Sequence, residues 1–133
     1  MNSESIISNF LTEKLSPVAI YLFGSFSSGN YNAQSDIDIA VLAKETLDTS
    51  ELYELSAGIS AILNRDIHLI DFKNVSPVLK MQILKKKKVI YCSDDEERIY
   101  HEMLALSEYQ KLNDERSPVL TKILGANYGH YFK

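Results

Sequence analysis

Residues 21–43 read YLFGSFSSGNYNAQSDIDIAVLA, and the fold turns on this stretch. Val18 to Phe23 is a short β-branched and aromatic run, the composition of a buried strand. Gly24 follows it. Without a Cβ, glycine permits a tight turn and a close approach of backbone to a ligand. Ser25 sets a hydroxyl donor beside that turn. A short helix begun by Phe26 to Gly29 would aim its free N–H groups at the same spot, which favours an anion. Gly29-Asn30 and the polar residues up to Ser35 read as a loop.

Asp36 to Ala43 reads as a second strand. By alternation Asp36, Asp38 and Ala40 share one face, while Ile37, Ile39 and Val41 share the other and enter the core. Two carboxylates two residues apart lie about 7 Å apart along a strand, so both can converge on one hard cation. Mg²⁺ takes few carboxylates and fills its shell with substrate phosphates and water. Gly24 and Ser25 as phosphate holders, with Asp36 and Asp38 as metal ligands, make a site for a nucleoside triphosphate and its magnesium. Against this stands a plain strand end with two solvated acids. The Gly-Ser turn at a useful spacing beforehand argues for the site.

The rest of the chain alternates helix and strand. Ile6, Ile7, Phe10 and Leu11 follow helical spacing, with Ser3 or Ser5 as N-cap. Asp48 or Ser50 caps a helix carrying Leu52, Leu55, Ile59, Ile62 and Leu63 on one face. Asp66 to Phe72 is a third strand. Ser76-Pro77 pairs a cap with proline at the first helical position, and that helix runs through Leu79, Ile83 and Leu84 into the lysines. Val89 to Tyr91 is a brief fourth strand. Asp94 caps a last long helix with Ile99, Met103, Leu104 and Leu112, and Pro118 marks a break after it. The expected architecture is α+β: a small mixed sheet of about four strands flanked by helices. Residues 1–116 form the domain and residues 117–133 a C-terminal tail. In that tail Tyr128, His130, Tyr131 and Phe132 are either loosely ordered or dock on a partner.

Composition sets the bounds. The chain has 133 residues, enough for one domain with a real core. Its net charge of −4 gives direct nucleic-acid binding no electrostatic help. The single cysteine, Cys92, excludes an intrachain disulfide framework and fits a reducing compartment. A basic region followed by an apolar core is missing at the N-terminus, and no apolar run approaches a membrane span. The cytoplasm is the expected location. Lys85 to Lys88 is the one basic run. It reads as a solvated helix end, where lysines suit the dipole, or as a contact for phosphates or an acidic partner.

Gly24-Ser25, ten residues, then Asp36-x-Asp38 between two strands resembles the signature of the DNA polymerase β-like nucleotidyltransferases. Over roughly residues 5–115 the chain is similar to the minimal nucleotidyltransferases, above all the MNT-type antitoxins paired with HEPN-domain toxins. The resemblance implies the polymerase β palm-like fold and an enzyme that uses Mg²⁺ and ATP. It further implies transfer of AMP to a tyrosine hydroxyl of a HEPN ribonuclease toxin, which silences the toxin in a hetero-oligomer with it. The small size agrees: four strands and their helices leave little chain to hold an acceptor, so another protein must present it.

The family usually places a third catalytic aspartate on the next central strand. Here Asp66-Ile67-His68-Leu69-Ile70-Asp71 has His68 at that position. Imidazole is a poor Mg²⁺ ligand but a competent base near neutral pH. The expected catalytic set is Asp36, Asp38 and His68. Asp66 is the alternative base on the same face, and Asp71 is one only if the strand has turned by then. Two other functions fit the same residues: an inactive antitoxin acting by binding alone, and a small-molecule nucleotidyltransferase of the aminoglycoside-modifying kind. The latter would need an added helical domain.

Overall fold

The computed structural model describes residues 2–24 and 36–124, with side chains through residue 115. Chain order runs α1 (Ser3–Lys14), β1 (Pro17–Phe23), β2 (Ile37–Ala43), α2 (Thr49–Leu63), β3 (Ile67–Asp71), a 3₁₀ turn (Phe72–Asn74), α3 (Pro77–Lys86), β4 (Lys88–Cys92) and α4 (Asp95–Leu124). The strands form one mixed sheet in the order β3-β2-β1-β4. β1 is antiparallel to both β2 and β4, and β2 is parallel to β3. The expected mixed sheet flanked by helices is what forms.

Both faces of the sheet are covered, so β1 is buried at every position. On one face Ile7 and Leu11 of α1 and Leu55 and Ile59 of α2 pack on Ile20, Leu22, Ile37 and Ile39. On the other, Ile83 of α3 and Ala105 of α4 pack with Tyr21, Ala40, Leu42 and Phe72. β2 therefore buries Ala40 and Leu42 as well as its isoleucines. A strand covered on both sides reads as a nearly continuous apolar run, which is why IAVLA lacks polar punctuation.

The helix starts follow capping chemistry, with one correction. Asn2, not Ser3 or Ser5, caps α1; its Oδ1 accepts from Ser5 N–H at 2.8 Å. Asp48 caps α2 and accepts from Glu51 N–H at 2.8 Å, in a capping box whose Glu51 side chain returns to the Asp48 amide. Asn64 ends α2 in the left-handed conformation. Ser76 Oγ accepts from Leu79 N–H ahead of α3, with Pro77 in its first turn. Asp94 accepts from Glu97 N–H at the start of α4.

One expectation for the last helix fails. The break at Pro118 does not occur: α4 continues to Leu124. Proline removes one helical hydrogen bond and bends the axis, but it need not end a helix. The aromatic residues Tyr128, His130, Tyr131 and Phe132 lie outside the described residues. Ile99, Met103 and Leu104 of α4 face outward. The inner face of α4 is instead fixed by a polar knot. Glu102 accepts from the buried Tyr21 hydroxyl at 2.9 Å and from Arg98 Nη1 at 2.7 Å, and it pairs with Lys87. Burial alone would raise the Glu102 pKa, but the bonds from Lys87, Arg98 and Tyr21 together hold it below the ordinary value. Burial, and then the Glu102 charge, push the Tyr21 phenol up.

Among the described residues, no helix is long and apolar enough to cross a membrane.

Candidate functional site

The site lies at the edge where β1 ends and β2 and β3 begin. Register brings Phe23 opposite Asp38, and Asp38 opposite His68. Three adjacent strands thus deliver Phe23, Asp38 and His68 in a row. Gly24 turns directly after β1 with φ +75, the left-handed region that side chains resist. A methyl built on Gly24 would overlap Asp38 Oδ2 and lie 3.4 Å from Asp38 Cγ. The glycine is therefore required twice, for the turn and for the room beside the carboxylate.

The other oxygen of Asp38 is also engaged. Asp38 Oδ1 lies 3.2 Å from His68 Nδ1, with the histidine side chain 58% exposed and the aspartate 27%. Phe23 flanks the imidazole, ring centroids 6.5 Å apart. With Nδ1–H donating to Asp38, the lone pair rests on Nε2.

The other acidic positions separate cleanly. Asp36 is exposed, one residue ahead of β2, on the Asp38 side by alternation. Asp66 is exposed, and its carbonyl accepts from Ile37 N–H at 2.9 Å, which holds the start of β2 against the β3 approach. Asp71 is buried and fully occupied. Its carboxylate accepts from Leu47 N–H, Lys73 N–H and Asn74 Nδ2 at 3.0–3.2 Å. Asp71 pairs in register with Val41, three residues along from Asp38, about 10 Å by strand rise. It anchors the turn after β3 and takes no part in the site. Ser25 lies outside the described residues.

The donors suit a hard cation. Asp36 and Asp38 offer carboxylate oxygens at an open edge, and Gly24 keeps the flank of Asp38 clear. Among the described residues no three His, Cys, Asp or Glu side chains gather into a closed metal cage.

The family model "Polymerase beta, Nucleotidyltransferase" matches residues 5–96. The chain belongs to the polymerase β nucleotidyltransferase family. Within that family it is 35% identical over 105 residues to the protein adenylyltransferase MntA of Shewanella oneidensis, covering 79% of this chain and 75% of that protein. It superposes with a TM-score of 0.81 and 32% identity on a chain in the crystal structure of a toxin–antitoxin with AMP-PNP, covering 92% of this chain and 98% of that one. A structure of a tri-AMPylated Shewanella oneidensis HEPN toxin in complex with MNT antitoxin matches with a TM-score of 0.75 and 31% identity, over 92% and 97% of the two chains.

For a nucleotidyltransferase, sequence reasoning missed two features of this edge. One is Phe23, which it took only as a core strand residue, though its ring flanks His68 and lines the site. The other is a cleft of about 440 Å³ that opens from Gly24 and Asp38 toward α3. The α3 side of that cleft is Leu79, Gln82, Lys85 and Lys86. The i, i+3 and i+4 spacing of these four positions would have put them on one helical face. Nothing in the local sequence said that the face turns toward Asp38.

Proposed function

We propose that this chain is an antitoxin nucleotidyltransferase: a protein adenylyltransferase that moves AMP from MgATP to a tyrosine hydroxyl of a cognate HEPN ribonuclease toxin and so neutralises it. The observation that carries the reading is the Asp38 carboxylate, held between Gly24 and His68 at an open sheet edge. The kinship to an adenylyltransferase and to toxin–antitoxin structures supplies the acceptor class.

The chemistry follows from the residues. Gly24 and Ser25 hold the β- and γ-phosphates. Asp36 and Asp38 hold the divalent metal, taken as Mg²⁺. When bound, the metal neutralises charge on the phosphate oxygens. The acceptor oxygen bonds to the α-phosphorus, and the bond from that phosphorus to the bridging oxygen breaks. Pyrophosphate leaves with the electron pair. The acceptor proton passes to His68 Nε2, while Nδ1–H donates to Asp38 and keeps the imidazole aimed. Asp38 thus both ligates and positions. Asp66, exposed just ahead of His68, is the alternative base.

The acceptor comes from outside this chain. α4 carries an outward stripe of Ile99, Tyr100, Met103, Leu104 and Leu106, with Tyr100 59% and Met103 63% exposed. The i, i+4 and i+7 spacing makes this one apolar face, of the kind that docks a partner. We assign it to the toxin, together with residues 117–133, in a hetero-oligomer. ATP as substrate and the free thiol of Cys92 both fit the cytoplasm.

The test uses ATP labelled at the α-phosphate, incubated with purified HEPN partner and either wild-type chain or Asp38→Asn. Label should appear on the partner with wild type and vanish with the variant. Neutralisation of the toxin by wild type without any label would instead mean action by binding alone.

A further inference from the structure

Lys85 to Lys88 run from the last turn of α3 into β4, and the structure divides them. Lys87 pairs with Glu102 of α4, and Lys88 Nζ lies 2.5 Å from Glu4 of α1. Lys85 and Lys86 are exposed and line the cleft that Gly24 and Asp38 open. Topology fixes that placement. β4 pairs antiparallel with β1, Lys88 opposite Leu22, so the chain entering β4 passes the end of β1 that carries Gly24. α3 must therefore finish beside the active edge.

We infer that Lys85 and Lys86 are the cationic wall of the triphosphate site: they bind the β- and γ-phosphates across the cleft from Gly24 and stabilise the departing pyrophosphate. The inference rests on the function proposed above and deepens it. Three observations carry it. The chain is acidic overall, with net charge −4, and the site itself adds Asp36 and Asp38, so a highly anionic triphosphate needs local positive charge to enter. The lysines line the same cleft as the carboxylate that would hold the metal, so both act on one ligand. Apolar Leu79 and the amide of Gln82 continue the same wall toward the start of α3, which grades it from charged to uncharged. A nucleotide has that grading, from phosphates to sugar and base. In the transfer step negative charge grows on the oxygen leaving the α-phosphorus, and fixed cations beside it lower the barrier. The ordinary alternative is that the lysines only offset the negative end of the α3 dipole.

The experiment measures binding of ATP, pyrophosphate and AMP, each with Mg²⁺, by titration calorimetry on the full chain. Variants are Lys85→Ala, Lys86→Ala, the double variant, and Lys44→Ala as a charge control at the opposite edge of the sheet. ATP and pyrophosphate should each weaken roughly tenfold or more per lysine, about 1.4 kcal/mol. AMP should weaken much less, and Lys44→Ala should change nothing. Thermal melts should stay near wild type, because both side chains are exposed. Equal ATP binding by wild type and double variant would overturn the inference while leaving the active site standing. Equal losses for ATP and AMP would overturn it too, since the lysines would then not read the phosphates. A wild-type chain that binds no MgATP would overturn the function beneath it and the inference together.

Discussion

Replacing Gly24 with alanine separates the site from the scaffold. At φ +75 an alanine pays roughly 1–2 kcal/mol for the left-handed conformation. For a domain of this size that lowers Tm by about 3–10 °C. The larger effect is chemical. The new methyl overlaps Asp38 Oδ2, and the cheapest relief is rotation of that carboxylate, because the backbone is fixed by the β1–β2 ladder. A rotated Asp38 loses His68 and its metal geometry at once. AMP transfer by Gly24→Ala should then fall roughly a hundredfold or more, the scale on which a misplaced catalytic group costs. Gly58 supplies the control. A methyl there meets the ring of Phe10 between α1 and α2, on the face of the sheet away from Asp38. Gly58→Ala gains about 1 kcal/mol of helix propensity and must displace that ring. It should shift the melting temperature with little change in transfer rate per folded molecule. Thermal melts beside a labelled-ATP transfer assay read both. Full transfer by Gly24→Ala, or equal loss in the two variants, would refute the coupling of this turn to Asp38.

Other outcomes follow from neighbouring contacts. His68→Ala should lose transfer by roughly a hundredfold or more while still binding MgATP, whereas Asp38→Asn should lose both; calorimetry beside the transfer assay separates them. Glu102→Ala leaves Lys87 without its carboxylate, Arg98 with the 3.5 Å contact to Asp95, and Tyr21 without its acceptor, and urea melts should show a loss of about 3 kcal/mol. Glu102 titrates lower in the folded chain than its ordinary 4.5, so its contribution is present above that pH and is lost as pH falls below it; the wild type should lose stability there more steeply than Glu102→Ala. Tyr100→Asp and Met103→Asp on α4 should weaken co-purification with the HEPN partner and leave ATP binding intact.

How much of this could be read from the sequence depended on how local the signal was. The strand–turn–strand at Gly24 and Asp38, the Asp48 and Ser76 caps and the four strands are short-range patterns, and each formed within a residue or two of its expected bounds. Parity put only Asp66 on the face of His68; the family resemblance gave His68 its place in the site, and the parallel register of β2 and β3 makes it the neighbour of Asp38. What stayed illegible was long-range. Asp71 looked like a spare carboxylate until its three backbone and amide donors were seen. Helical spacing put Ile99, Met103 and Leu104 on the last helix but could not say which of its faces is inside. The lysine run looked uniform, but the cleft beside Gly24 and Asp38 takes in Lys85 and Lys86. Proline at 118 looked like a stop because its local penalty is real, yet the helix carries it.

The measurement that bears most directly on the account is the intact mass of the HEPN partner after incubation with ATP, Mg²⁺ and this chain. The account predicts a mass increase of one or more AMP units on the partner, mapped to tyrosine by fragmentation, and absent with Asp38→Asn. A partner left at its unmodified mass by the wild-type chain, though bound and neutralised, would contradict it.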